Sequence, residues 1–164
     1  MLLTDHGEEI EMNGYHYTEC GLDNIYLLNG FQMIDSTDGE GVYIEDIHDL
    51  HTAIAESIIS KGGILLGQEI RFLRHMLDLS QGLLAKMLGV DYQSVARWEK
   101  SETQIRKTAD YFLRTLLHSY LKPQQNESIY EMINDLSNLD SQDIENKQIK
   151  FIFDEKLPDW KVAV

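Results

Sequence analysis

The 164-residue sequence predicts an α+β fold in three parts: a small N-terminal α+β domain, a helical domain, and a C-terminal helix followed by a β-hairpin. Three observations predict this fold. Strand-prone residues and turn signals fill residues 15–44. Apolar residues then recur at helical spacing between residues 46 and 120. Two strand-like segments, 148–153 and 160–164, follow near the C-terminus. The predicted domains cover residues 1–65, 66–122 and 123–164.

Short runs of strand-prone residues define the first domain. They are Tyr15, Tyr17, Ile25, Tyr26, Leu27 and Leu28. Asn29-Gly30 is a strong hairpin-turn signal, so we expect two or three short strands here. The sequence Gly39-Glu40-Gly41 predicts another turn before a short strand at 42–44.

A helix is predicted to close this domain. Asp46 can cap it, and Lys61-Gly62-Gly63 ends it. Its apolar residues at helical spacing are Ile47, Leu50, Ile54, Ile58 and Ile59. A unit of about 60 residues is near the lower limit of independent stability, so we expect it to lean on the neighbouring domain or on a dimer mate.

The helical domain begins with a helix over residues 67–77. This helix turns Arg71 and His75 outward, and its buried residues are predicted to be Ile70, Leu73, Met76 and Leu77. A second helix follows Ser80, which can cap it. The apolar residues of the second helix are Leu83, Leu84, Met87 and Leu88.

A third helix is predicted from Tyr92, because Gly89 permits the preceding turn and Asp91 is a good cap. Val95 and Trp98 lie three residues apart and can face the core. That spacing leaves Tyr92, Gln93, Ser94, Ala96 and Arg97 on or near the outer surface. Two short helices, a glycine turn and outward polar side chains are typical of a DNA-reading helix-turn-helix.

The C-terminal part of the helical domain and the tail complete the prediction. A loop over 101–106 precedes a helix that Thr108 can cap and that ends before Pro123. A short amphipathic helix is predicted at 129–136. The final hairpin is marginal alone, so we expect it to add to a sheet such as the N-terminal one.

The spacing S-Q-x-x-L-A-x-x-L-G-V-x-x-x-x-V-x-x-W-E, within residues 67–117, resembles the Xre/Cro helix-turn-helix family of phage repressors and antitoxins. The resemblance implies a five-helix DNA-binding domain over 66–122. It also implies a structural ion pair between Arg74 and Glu99, which would fix helix orientation. One departure is Leu83, where family members often carry a glutamate that completes a capping box.

The resemblance and the chemistry of the side chains assign roles on DNA. Base edges are expected to meet Tyr92, Gln93 and Arg97, with Gln93 suited to adenine and Arg97 to guanine. The residues expected to hold phosphates are Ser80, Gln81, Ser94, Lys100, Arg106 and Lys107. One such domain touches few base pairs, so we expect a homodimer on a palindromic operator, with the dimer surface left open between the region after Thr108 and the tail.

The formal charge of −14 is distributed unevenly. Residues 1–60 carry thirteen acidic residues and no Lys or Arg, residues 61–122 have a charge of +4, and residues 123–164 have a charge of −5. Phosphate backbones attract local positive charge, so the predicted nucleic-acid surface coincides with the basic segment. The acidic ends must face another partner.

The order of the parts resembles antitoxins of the MqsA/HigA type, on the segments YHYTECGLDNIYLLNG and FDEKLPDWKVAV. This resemblance implies an autoregulating repressor that neutralises a cognate toxin through its acidic N-terminal half. The toxin, the operator and the sign of the coupling between toxin and DNA are left open. MqsA has a zinc site of paired cysteines, which a chain with Cys20 alone cannot reproduce.

The sequence also contains residues of the types that bind metals. His16, Cys20, His48 and His51 are zinc-type ligands, and zinc would accept them only if the fold brought them together. We expect no metal and no cofactor, and the alternative function is a regulator whose N-terminal domain senses a small ligand or metal. Catalytic motifs such as a phosphate loop, a nucleophile elbow or HExxH are not found, so no enzyme is expected.

The composition predicts a cytoplasmic protein. No apolar run reaches the roughly 18 residues of a membrane-spanning helix, and the acidic N-terminus lacks the layout of a signal peptide. One cysteine excludes an internal disulfide framework and fits a reducing compartment.

Overall fold

The computed structural model describes residues 2–3, 9–10, 14–123 and 146–164. The α+β class is confirmed, and the chain divides into two compact units. The first unit comprises Met1–Ala53 and Asn146–Val164, and the second comprises Ile54–Glu145. None of the described helices is long and apolar enough to cross a membrane.

The described strands of the first unit form three sheets. The strands are β1 (Leu2–Leu3), β2 (Glu9–Ile10), β3 (Tyr15–His16), β4 (Ile25–Leu27), β5 (Phe31–Ser36), β6 (Gly39–Ile44), β7 (Ile149–Asp154) and β8 (Asp159–Val162). Antiparallel pairs are formed by β1 with β2 and by β5 with β6. The remaining strands form a four-stranded sheet in the order β3-β4-β7-β8. The residues buried in this unit include Tyr17, Leu22, Ile25, Leu27, Ile44, Leu50, Phe151 and Trp160.

The C-terminal hairpin adds to the N-terminal sheet, and β7 lies parallel to β4 with Leu27 opposite Phe151. Side chains reinforce this pairing. The Asn29 side chain accepts a hydrogen bond from the backbone N–H of Phe153 and donates one to its carbonyl oxygen. The Trp160 indole N–H donates to the carbonyl oxygen of Glu45 at 2.9 Å. The sheet is therefore assembled from the two ends of the chain.

Two predicted turns differ from the structure. Asn29-Gly30 does not form a hairpin, because β4 pairs with β3 and β7 among the described strands and not with β5. Gly30 instead has φ 71° and lies so close to the Trp160 ring that a Cβ atom would come within 2.8 Å of it. The turn predicted at 39–41 lies at Thr37-Asp38, and Gly39 begins β6.

Five helices are described: α1 (Ile47–Ser60), α2 (Gly67–Met76), α3 (Gln81–Leu88), α4 (Tyr92–Glu99) and α5 (Lys107–Leu121). Asp46 caps α1 as predicted, by accepting a hydrogen bond from the N–H of Asp49 at 3.1 Å. Residues 66–122 thus contain four helices rather than the five that the resemblance implies. Thr108 does not cap α5, because the helix begins at Lys107, with Arg106 at the N-cap position, so Thr108 lies within the first turn. The helix predicted at 129–136 lies outside the described residues.

The core of the second unit contains a charged pair that the sequence did not indicate. Arg114 is 1% exposed, and its Nε donates to Oδ1 of Asp110 at 2.6 Å. The same guanidinium donates to the carbonyl oxygens of Lys61 at 2.5 Å and Gly63 at 2.6 Å, beyond the end of α1. Asp110 also accepts from the backbone N–H of Leu65 at 2.7 Å. This network holds the segment between α1 and α2 against α5.

Candidate nucleic-acid interface

The α3–α4 segment is built by three local signals. The Ser80 hydroxyl oxygen accepts a hydrogen bond from the N–H of Leu83 at 3.0 Å, which caps α3. Gly89 ends α3 in the left-handed region, with φ 65° and ψ 31°. Asp91 caps α4 by accepting from the N–H of Gln93 at 3.1 Å. Two eight-residue helices are therefore joined by a short turn with defined ends.

The two sides of α4 differ sharply in burial. Val95 is fully buried, and Trp98 is 5% exposed. Gln93 and Arg97 are exposed on the opposite side, and Tyr92, at the first position of the helix, is 55% exposed. We call these three residues the outer face of α4. Ser94 and Ala96 are half-buried at its margins.

An ion pair holds the inner side of α4 to α2. Arg74 donates from Nε to Oε1 of Glu99 at 2.6 Å and from a terminal nitrogen to Oε2 at 3.1 Å, and both residues are buried. Arg71 approaches the same carboxylate at 3.6 Å from the more exposed side. Burial alone would raise the pKa of Glu99, but hydrogen bonds from Arg74 and Gln81 and the charges of both arginines lower it overall. The predicted pairing of Arg74 with Glu99 is thus present, in a bidentate form.

Gln81 has a second role that the sequence did not indicate. Its side-chain amide donates a hydrogen bond to Oε2 of Glu99 at 2.8 Å. An amide NH₂ carries two hydrogens, so one hydrogen remains for another acceptor. Gln81 therefore links the start of α3 to the buried carboxylate of Glu99, and Gln81 itself is only half-buried.

A groove of about 490 Å³ lies beside α4. It is lined by Gly89, Val90, Asp91, Ser94, Arg97, Trp98, Thr103, Gln104 and Arg106. Arg97 comes from the outer face of α4 and Arg106 from the loop before α5. The lining therefore contains two basic side chains and one acidic side chain, that of Asp91. Among the described residues Arg97 forms no ion pair, so its charge is not neutralised there.

The structure places the other predicted phosphate contacts on the surface of the same unit. Ser80, Lys100, Arg106 and Lys107 are exposed. The backbone N–H of Ser94 donates to the carbonyl oxygen of Asp91 at 2.9 Å, so its hydroxyl is the group left for a ligand. Sequence reasoning missed Thr103 and Gln104 as groove residues, because nothing in a loop sequence shows which side chains will face a neighbouring helix.

Two apolar residues of α3, Leu83 and Met87, are exposed although the helical pattern suggested that they would face the core. Leu83 is 46% exposed and Met87 is similarly exposed, whereas Leu84 and Ala85 are buried. The helix is only eight residues long, so its buried side is narrow. Leu83 and Met87 lie one turn apart on the other side.

The four zinc-type ligands of the first unit do not come together. No group of three or more His, Cys, Asp or Glu side chains suitable for a metal is present in the described part of the chain. His51 Nε2 instead lies 2.8 Å from the Tyr17 hydroxyl, and His16 Nε2 lies 2.8 Å from the carbonyl oxygen of Asp23. Burial raises the pKa of the Cys20 thiol, which disfavours the thiolate that binds zinc.

Comparisons of the chain with protein-family models, curated proteins and solved structures found no match. The proposed function therefore rests on the geometry and the charge of the described surfaces.

Proposed function

We propose that this chain is a sequence-specific DNA-binding antitoxin and transcriptional repressor, which autoregulates its operon and neutralises a cognate toxin. One observation supports the DNA-binding part above all others. The helix α4 is fixed on its inner side by Val95, Trp98 and Glu99, and it presents Tyr92, Gln93 and Arg97 outward. A rigid helix with polar and basic residues on one exposed side suits the major groove.

The roles follow from the chemistry of each side chain. Gln93 pairs its amide with the N6 and N7 atoms of adenine, and Arg97, one turn later, pairs with the O6 and N7 atoms of guanine. Tyr92 contacts base edges at the start of the helix. The hydroxyl groups of Ser80 and Ser94 and the free amide hydrogen of Gln81 donate to phosphates, together with Lys100, Arg106 and Lys107. The groove lined by Arg97 and Arg106 supports this assignment, because basic side chains there would attract a phosphate backbone.

The partner-binding part rests on charge. The first sixty residues contain no Lys or Arg and carry a formal charge of −13. Such a segment is unsuited to a phosphate backbone but attracts a basic protein surface and speeds association with it. We propose that this segment binds the toxin. We also propose that the chain forms a homodimer, which reads two half-sites about one helical turn apart.

The DNA-binding part is tested by selecting duplexes from a random library with the purified chain and then measuring affinity for the selected site. Gln93→Ala and Arg97→Ala should each relax the preference at one base step by about 1 to 3 kcal/mol. Lys107→Ala should weaken binding to all duplexes alike and reduce the slope against salt concentration by about one. Lys156→Ala is the control, since this exposed lysine lies in the β7–β8 turn.

Two results would contradict the DNA-binding part. The first is a selection that enriches no sequence. The second is an unchanged base preference in both α4 variants, because the outer face of α4 would then not read the site. The partner-binding part is tested separately, by co-purification with the protein encoded by the neighbouring gene.

A further inference from the structure

The β5–β6 hairpin stands out in the first unit because so little of it is buried. Among the described strands, β5 pairs only with β6 and joins no other sheet. Its base is anchored, since Ile44 is buried and the Phe31 ring lies 5.2 Å from that of Tyr15. Residues 32–41 are all exposed. The hairpin is thus packed at its base and exposed to solvent over most of its length.

Apolar side chains are exposed on both faces of this hairpin. In its register Met33 lies opposite Val42, and Ile34 lies opposite Gly41 on the other face. Met33 is 42% exposed and Ile34 is 47% exposed. Tyr43, on the same face as Ile34, is 46% exposed. An isolated two-stranded hairpin is marginal in water, and exposed apolar side chains in one place mark an interaction surface.

The tip of the hairpin is acidic. Asp35 lies directly opposite Glu40, and Asp38 is in the turn between the strands. Like charges opposite one another on neighbouring strands destabilise a hairpin. None of the three carboxylates forms an ion pair within the residues that the structure describes. The repulsion at the tip is therefore uncompensated in the free chain, and a basic surface would relieve it.

We propose that the β5–β6 hairpin is the element that binds the protein partner, and that it enters a basic cleft of that partner. A cleft fits better than a flat surface because Met33 and Ile34 are exposed on opposite faces, so both faces can be covered only from two sides. The carboxylates of Asp35, Asp38 and Glu40 would then meet Lys and Arg side chains inside the cleft. This inference rests on the proposed function, since it locates the toxin contact within the acidic segment.

Glu40→Lys provides a sharp test, because it places a lysine opposite Asp35 and turns a repulsive cross-strand pair into an attractive one. The variant hairpin should be at least as stable as the original, so weaker binding cannot be attributed to unfolding. The matched control is Glu155→Lys, which makes the same change of charge at an exposed position in the β7–β8 turn. Ile34→Ser tests the apolar contact, with the exposed Leu157→Ser as its control.

The probe is the protein encoded by the neighbouring gene, and its affinity for each full-length variant is measured by titration calorimetry at physiological salt. We expect Glu40→Lys to weaken binding about tenfold or more and Ile34→Ser to weaken it about fivefold. Both controls should stay within about twofold of the wild type. The loss in Glu40→Lys should shrink as the salt concentration rises.

Three outcomes would overturn the inference. If the two hairpin variants bind as well as the wild type, or if Glu155→Lys loses as much affinity as Glu40→Lys, the hairpin is not the contact, and the toxin-binding proposal survives. If the wild type itself does not bind the probe, the hairpin inference fails together with the toxin-binding part of the proposed function. Affinity for the selected duplex, measured on the same preparations, reports the DNA-binding part independently.

Discussion

The helical unit buries two arginines beside carboxylates, and the two surroundings differ. Arg74 shares Glu99 with Arg71 and Gln81, near the surface that carries α4. Arg114 is enclosed more completely, and it donates to Asp110 and to the carbonyl oxygens of Lys61 and Gly63. Arg74 also donates to a carbonyl oxygen, that of Leu79, which lies just before α3. The first pair orients a helix that we assign to DNA, whereas the second pair joins α5 to the chain that follows α1. On the proposed function, the first pair supports a recognition surface, whereas the second supports the packing of the helical unit.

The largest effect is expected from Arg114→Ala. The substitution leaves the carboxylate of Asp110 buried without a cation and leaves the carbonyl oxygens of Lys61 and Gly63 without this donor. Breaking a buried pair costs about 3 to 5 kcal/mol, and we expect the upper end here. Urea denaturation, monitored by Trp fluorescence, measures this loss of unfolding free energy. Arg97→Ala, an exposed arginine of the same unit, should change the unfolding free energy by less than about 0.5 kcal/mol.

Glu99→Ala should cost less, about 3 kcal/mol, because the stranded Arg74 lies nearer the surface and can regain water. It should also weaken binding to the selected duplex, since α4 loses its link to both Arg74 and Gln81. If stability falls and DNA affinity does not, the pair is structural only, and the contrast between the two arginines would disappear.

Gly67→Ala tests how closely α2 must pack against α4. A Cβ atom there would lie 2.5 Å from the carbonyl oxygen of Trp98 and 2.8 Å from that of Glu99, so the helices must move apart. Such overpacking costs about 1 to 3 kcal/mol. Gly82→Ala is the matched control, because its nearest contact would be 4.0 Å away. In α3 that change should stabilise the chain by about 0.5 to 1 kcal/mol, and thermal unfolding of both variants measures the difference.

The smallest effect concerns pH. Because the pKa of Glu99 is lowered in the folded chain, the charged carboxylate stabilises the fold at any pH above the ordinary pKa of a glutamate side chain. This contribution should be lost as the pH falls through the lowered pKa. Denaturation between pH 6 and pH 2 would show it as a steeper loss in the wild type than in Glu99→Gln. Identical slopes would mean that the carboxylate gains nothing from its charge.

The part of the candidate site that follows local rules was predictable from the sequence. Ser80 and Asp91 cap their helices, Gly89 adopts positive φ, and Val95 and Trp98 are buried at helical spacing. Each of these features depends on neighbours within a few residues, so the sequence contains the information. The pairing of Arg74 with Glu99 is a long-range feature that was anticipated through the family resemblance alone.

The features that the sequence did not predict depend on contacts between residues far apart along the chain. Asp110 and Arg114 are four residues apart, a spacing that on an exposed helix means only a weak surface pair. Their burial is decided by the segment 58–65, which the helical pattern of α5 does not reveal. The Asn29-Gly30 signal failed for a similar reason, because β4 pairs with β7 from the far end of the chain. Local turn chemistry could not compete with that pairing.

The position of β7 has a consequence for synthesis on the ribosome. Asn24 donates a hydrogen bond to the carbonyl oxygen of Lys147, 123 residues later, and the adjoining strands pair side by side. Translation at about 5 to 20 residues per second separates the emergence of these two segments by several seconds. During that interval the edge of β4 that pairs with β7 is open, and α1 to α5 emerge before β7 can cover it. The four-stranded sheet can therefore form only after β7 and β8 have been synthesised.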